Sequence, residues 1–274
     1  MKLKKATITT NTSRSRRLMG AIKTIIVHEV KDVFCHPTPI LMRCLTMPIY
    51  VVTLASIWNG LRSKAGLPIT FPTLIYFVLT QTMLDSFVSR FSLSSLVINF
   101  EAALTRPIPW SIQSGAQAFA RTSAQLFFMG ILGQGVLALC GYTTENNFLI
   151  LLRWFTVIPF IAFVDSLLTL IFTCIFLKIG KSDGLRFILS KSMLALGGGL
   201  YPLLQAGTWN QLLLQLPFAD LIFQTAHFCL FGKPYGISLG IWIFRICSWS
   251  LVLILLSQII FNSTRKNFLM GNGG

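Results

Sequence analysis

The sequence predicts an all-α membrane protein: an N-terminal interfacial elbow helix, six transmembrane helices, and a re-entrant outer hairpin between the fifth and sixth, with both termini cytosolic. Three observations carry that prediction. Of 274 residues, 54% are hydrophobic and only 11% charged, whereas a soluble domain carries about a quarter charged residues. The apolar residues gather into runs of about 20 or more, long enough to cross a hydrocarbon core at 1.5 Å per residue. The Lys and Arg sit between those runs, mostly at one set of ends. A net charge of +15 raises nucleic acid as a partner. The cations form no aromatic-interleaved basic face, so topology accounts for them, and the expected surface is a lipid bilayer with no nucleic acid.

Taken in order, residues 1–17 form a basic cytosolic tail; no short hydrophobic stretch with a small-residue cleavage site follows it, as a signal peptide would require. Residues 18–36 form the elbow. Leu18, Ile22, Ile25, Ile26, Val30 and Val33 recur at three- and four-residue spacing, with Lys23, His28, Glu29, Lys31 and Asp32 around the rest, the pattern of a helix lying in the interface. His28, Asp32 and His36 would align three metal-ligand types on one face. However, Pro37 ends the helix there and no fourth ligand follows, so they read as a polar face and no metal is expected. The six cysteines, Cys35, Cys44, Cys140, Cys174, Cys229 and Cys247, show no regular spacing and mostly lie in apolar runs, where Cys acts as a small hydrophobe.

Residues 37–264 form the transmembrane domain. Spans are expected at roughly 40–58, 72–95, 113–140 and 148–177, then from about 187, and last at 237–261. With the N-terminus inside, sixteen cations fall on the cytosolic side, among them Arg90, Arg106, Lys178, Arg186, Arg265 and Lys266. Only Arg62, Lys64, Arg153 and Lys233 fall outside, a strong positive-inside bias. The fifth span breaks at Gly197, Gly198, Gly199 and Pro202, and the stretch after it is interrupted by Pro217 and Asp220. Making that stretch a seventh span would expel Arg265 and Lys266, which belong to the cytosolic tail 265–274. A shallow re-entrant hairpin on the outer face avoids this. No internal repeat is visible, unlike inverted-repeat secondary transporters.

Polar residues inside the spans fall in stripes: Gln81, Asp85 and Ser89; Gln117, Arg121 and Gln125; Asp165, Thr169 and Thr173. Each stripe is spaced i, i+4, i+8, so three helix faces turn toward protein or water. A charge at the bilayer centre costs about a few kcal/mol unless paired or hydrated. Arg121 is therefore expected to pair with Asp85 or Asp165, either as a structural ion pair or along a transport path. Arg245 is expected to snorkel outward. No G-x-S-x-G, no His/Asp pair on one loop and no Walker A sequence is present, so catalysis within this chain is not expected.

The elbow, the six spans, the short cytosolic loop and the break before the last span together resemble an ABC-2 type exporter permease. The similarity covers about residues 18–262. Within it, Leu104, Arg106 and Pro107 of "ALTRPIPW" resemble the L-x-R-P element of one subfamily's first cytoplasmic loop. "LYP" (200–202) and "LPF" (216–218) resemble that subfamily's outer-hairpin prolines, while Ile98 or Phe100 stands where members often carry glycine. The resemblance implies a subunit of the bacterial cytoplasmic (inner) membrane that pairs with a second permease subunit, identical or homologous. It also implies a cytosolic ABC ATPase dimer that binds ATP and Mg, leaving this chain without cofactors. The ATPase would dock on the loop at Glu101, Leu104, Arg106, Pro107 and Pro109, with the elbow residues His28, Glu29, Lys31 and Asp32 as a second contact. The cargo would be amphipathic: a peptide, a lipid-like or drug-like molecule, or a glycan. An ATPase-independent carrier, a channel or a structural subunit of a membrane complex remains the alternative.

Overall fold

The computed structural model describes residues 2–36, 109–139, 147–179 and 216–271, with isolated helical positions 38, 41, 42, 46, 49, 53, 57, 79, 80, 184, 188, 191 and 192 between them. Five helices carry the described chain, and among the described residues there is no strand. They are α1 (Lys2–Cys35), α2 (Trp110–Leu139), α3 (Asn147–Ile179), α4 (Pro217–Phe231) and α5 (Leu239–Gly271). α2 and α3 match the expected third and fourth spans to within three residues at each end. α1 begins sixteen residues before the expected elbow, so the basic tail is helical as far back as Lys2.

α2 and α3 pair antiparallel. Gly115 meets Leu170, Thr122 meets Asp165, Phe127 stacks on Phe155 at 5.0 Å, and the Trp154 indole N–H donates to the Leu126 carbonyl at 3.0 Å. α5 runs parallel to α3, with the Thr264 hydroxyl 3.3 Å from the Cys174 carbonyl. α4 fills the groove between α3 and α5 and points the opposite way. The carbonyls near its C-terminus receive Arg153, close to the start of α3, while its first turn lies beside Val164 and Trp249. The core at this junction contains Trp154, Phe223, Leu126, Met129 and Ile161, and Leu79 packs into it from the second expected span.

Among the described residues, two helices, Phe148–Phe176 and Leu239–Thr264, are long and apolar enough to cross a membrane. They differ in a telling way. The first is 67% buried within the protein and would pass equally for the core helix of a soluble bundle; the second is only 17% buried. α5 turns Phe244, Leu251, Leu255 and Ile259 outward. So large a contiguous apolar surface would be costly in water and costs nothing against lipid, which points to membrane association.

α4, expected as part of a shallow outer hairpin, lies lengthwise against α3. From Asp220 to Cys229 is nine residues, or about 13 Å of helix, and this length lies alongside α3. The reason is the apolar face of α4: Leu221, Ile222, Phe223 and Ala226 are buried, which requires the helix to lie along its neighbours rather than across their ends. Pro217 occupies the first turn, where a missing N–H is harmless. Gly198, Gly199 and Pro202, the other expected break residues, lie outside the described residues.

A contrast between two glycines of α2 tests this packing. A Cβ at Gly130 would overlap the Trp154 indole nitrogen, whereas one at Gly135 would meet nothing within 4 Å. Gly130→Ala should lower stability by about 1–3 kcal/mol through overpacking. Gly135→Ala should be neutral or stabilising by up to about 1 kcal/mol, from helix propensity alone. Thermal unfolding of the detergent-solubilised chain separates them; equal effects would mean that the indole does not sit on Gly130.

Candidate functional site

The densest set of polar contacts joins α1, α2 and α3. Glu29 is buried although it sits on a basic amphipathic helix. Its Oε2 lies 2.5 Å from Arg121 Nε, and its Oε1 accepts a 2.7 Å hydrogen bond from Gln117 Nε2. Arg121 Nη2 also lies 4.0 Å from Asp32 Oδ2. Gln117 and Arg121 are one turn apart on α2, so they present both donors to the same carboxylate. Two turns further along α2, the T-shaped contact of Phe34 with Phe128 at 4.9 Å continues the joint. The contacts advance in the same sense along both helices. From Gln117 to Phe128 they cover about 16 Å of α2. That is more than a helix lying flat and crossing α2 would touch, so α1 inclines along α2.

These contacts correct two expectations. Arg121 pairs with Glu29 and Asp32 of α1, not with Asp165; the other expected partner, Asp85, lies outside the described residues, as does Gln81. Glu29 is also not part of the polar face. It lies seven residues after Ile22, three after Ile26 and four before Val33, in register with the apolar stripe. That register was the available signal, because a carboxylate inside an apolar stripe requires a cation on the helix it faces. His28 and Lys31 are exposed, and Asp32 stands 3.7 Å from His36.

On its other side, α2 turns its polar stripe into the bundle. The Thr122 hydroxyl donates to the Asp165 carboxylate and also stands 2.9 Å from the Ala118 carbonyl. Asp165, Thr169, Thr173 and Gln125 are all buried, as a protein-facing stripe requires. The Gln125 amide nitrogen and the Thr169 and Thr173 hydroxyls find no hydrogen-bond partner among the described residues. Hydroxyl and amide groups left this way form a polar seam in an otherwise apolar interior, capable of hydrogen bonding but carrying no nucleophile–base pair. Of the expected loop contacts, Glu101, Leu104, Arg106 and Pro107 lie outside the described residues. Pro109 is exposed and opens α2, its carbonyl accepting the Ile112 and Gln113 N–H groups at 3.0 and 3.1 Å.

At the opposite end, two arginines do what the sequence reading did not assign to them. Arg245, 44% exposed, also has a partner the sequence did not suggest: its Nη1 lies 3.8 Å from the buried Asp220 carboxylate, an ionic contact between α5 and the first turn of α4. Arg153 Nη1 donates to the Cys229 and Leu230 carbonyls at 3.2 and 3.4 Å, satisfying the C-terminus of α4. Gly232 closes that helix at φ 75°, and a Cβ there would press on the Arg153 guanidinium at 2.8 Å. Gln224 then clasps the following turn, accepting from the Tyr235 N–H at 2.7 Å. His227 stands among Phe223, Phe231 and Tyr235, with Nδ1 2.8 Å from the Lys233 carbonyl. Since a carbonyl can only accept, Nδ1 carries the proton.

Two predictions follow from these joints. Arg121→Met strands a buried carboxylate, and because Arg121 is half exposed the loss should be about 1–2 kcal/mol. Adding Glu29→Met should restore most of it, and additive losses in a double-mutant cycle would rule out the pair. At the other end, burial holds the His227 imidazole below its usual value of 6.5, against a smaller upward pull from the Lys233 carbonyl. The folded state therefore binds the proton less readily than the unfolded state. Its contribution to stability is whole above pH 6.5 and is lost as pH falls through the lower folded value. His227→Gln should flatten the acid limb of a pH–stability curve, and an unchanged limb would assign it to other groups. No protein-family model matches the chain, and no curated protein or solved structure matches it either.

Proposed function

We propose that this chain is the transmembrane permease subunit of an ATP-driven exporter, with six spans and both termini in the cytosol. In this reading it lies in the bacterial inner membrane, pairs with a second permease subunit and takes its energy from a separate cytosolic ABC ATPase dimer. The observation that carries the reading is the clasp of Glu29 with Arg121 and Gln117. It fastens a basic N-terminal helix to the helix that starts at Trp110, directly after the loop holding Glu101 and Arg106. A soluble partner pushing on either the loop or the elbow would move α2, and through Thr122 and Asp165 that displacement reaches α3. The sequence has no Walker A motif, so in this reading ATP and Mg belong to the partner. The lipid-facing surface of α5 and the inward polar seam suit a pathway for an amphipathic cargo.

Affinity purification of the full chain from native membranes in mild detergent tests the proposal. A nucleotide-binding ATPase should co-elute, and Arg106→Glu should abolish the association or the coupled ATP turnover while the chain still inserts. A chain that purifies without an ATPase, or an Arg106→Glu variant with both properties intact, would favour an ATPase-independent carrier, a channel or a structural subunit.

A further inference from the structure

A cavity of about 290 Å³ opens between the first turn of α2, the last third of α3 and the second half of α5. In the proposed topology this is the cytosolic-leaflet end of the bundle, remote from the Arg153 and His227 cap. Its wall has two chemistries. Trp110 and Phe261 stack nearly parallel, 5.5 Å between centroids and 9° between planes, giving a flat apolar panel. Facing them are Ser111, Ser257, Gln258 and Asn262. Ser257 spends its proton on the Ile254 carbonyl at 2.8 Å, so it offers an acceptor inward. No described residue engages the side-chain amides of Gln258 and Asn262, each of which carries both donors and an acceptor. The two amides stand one turn apart and exposed at the end of the expected last span, so a ligand seated in the cavity can hydrogen-bond to both.

The charges narrow the ligand. Among the described residues, no Lys, Arg, His, Asp or Glu lines the cavity, so the described wall holds no charge to offset an ionic head group. Hydroxyl groups, which donate and accept at once, match the amides and serines. Leu255 and Ile259, exposed on α5 beside Gln258, give a hydrocarbon tail a track into the bilayer. The volume lies near the lower end of small-molecule sites, about 300 Å³, which fits a head group and its first methylenes but not a two-chain lipid head. We propose that this cavity binds a neutral single-chain amphiphile with a hydroxyl-bearing head, taken from the adjoining leaflet. Its role as a cargo-access or modulatory site rests on the export reading; the binding itself does not.

The test therefore uses binding alone, without any ATPase. The full chain is placed in phosphatidylcholine nanodiscs, and tryptophan fluorescence is followed as brominated monoacylglycerol or brominated phosphatidylcholine is added at equal bromine content. The Trp110 signal is the difference between the wild type and Trp110→Phe. Saturable quenching of Trp110 by the monoacylglycerol alone, reversed by its unbrominated form, is the expected result. Gln258→Leu with Asn262→Leu should raise the half-saturating amount about fivefold or more, the loss expected for removed neutral hydrogen bonds. Quenching that rises in proportion to bromine with both lipids would overturn the site as ordinary lipid contact. An unchanged half-saturation in the double variant would remove the amides from it. Equal displacement by a fatty-acid anion of the same chain length would refute the neutral head. Should Trp110→Phe fail to fold, reversal by the unbrominated lipid in the wild type still decides the matter.

Discussion

A carboxylate withdrawn from water must find a cation or hydrogen-bond donors, and this bundle meets that requirement between helices rather than within them. Three acidic side chains are buried among the described residues: Glu29, Asp165 and Asp220. Each is met from a helix other than its own: Glu29 takes Arg121 and Gln117 of α2, Asp165 takes Thr122 of α2, and Asp220 faces Arg245 of α5. Apolar packing alone would leave these helices free to slide, since lipid tails compete with side chains on nearly equal terms. A fixed charge and its partner define one register. The energy gained need not be large for this to hold, because the alternative registers strand a buried charge.

The two ends of the bundle are consequently built differently. Where α4 ends, several groups are tied back: Arg153 on the helix carbonyls, Gly232 shaped to admit it, Gln224 on the Tyr235 backbone and His227 on Lys233. Where α2 begins, the structure is open. Its first N–H groups rely on Pro109, the Trp110–Phe261 panel borders a cavity, and the clasp with α1 leaves Arg121 half exposed. The two ends thus differ in how many of their described polar groups are tied between helices.

Much of this was legible in the residues, for reasons that also mark the limit of legibility. The stripes Gln117–Arg121–Gln125 and Asp165–Thr169–Thr173 were readable because helical periodicity fixes which side chains share a face. The ends of α2 and α3 were readable because polar and turn-forming residues bound the apolar runs. Periodicity is silent on which helix lies opposite, so Arg121 was assigned to Asp85 or Asp165 of the other expected spans, when its partners came from α1, expected as an interfacial helix. The same silence left Arg245 facing solvent. For α4, Pro217 announced the break, but the lengthwise packing of the helix depended on a groove between α3 and α5 that no single segment encodes.

The register of Glu29 has the widest implication for reading chains of this kind. Lys23, His28 and Lys31 are exposed and make α1 look like a surface helix with a solvated polar face. One carboxylate in step with Ile22, Ile26 and Val33 contradicts that picture, because nothing else on the stripe can hydrate it. Read as an exception it is noise; read as a constraint it demands a neighbouring cation within about one side-chain length, and Arg121 of α2 meets that demand. A basic helix that charge alone would leave as a surface helix is thereby fixed to α2 in one register.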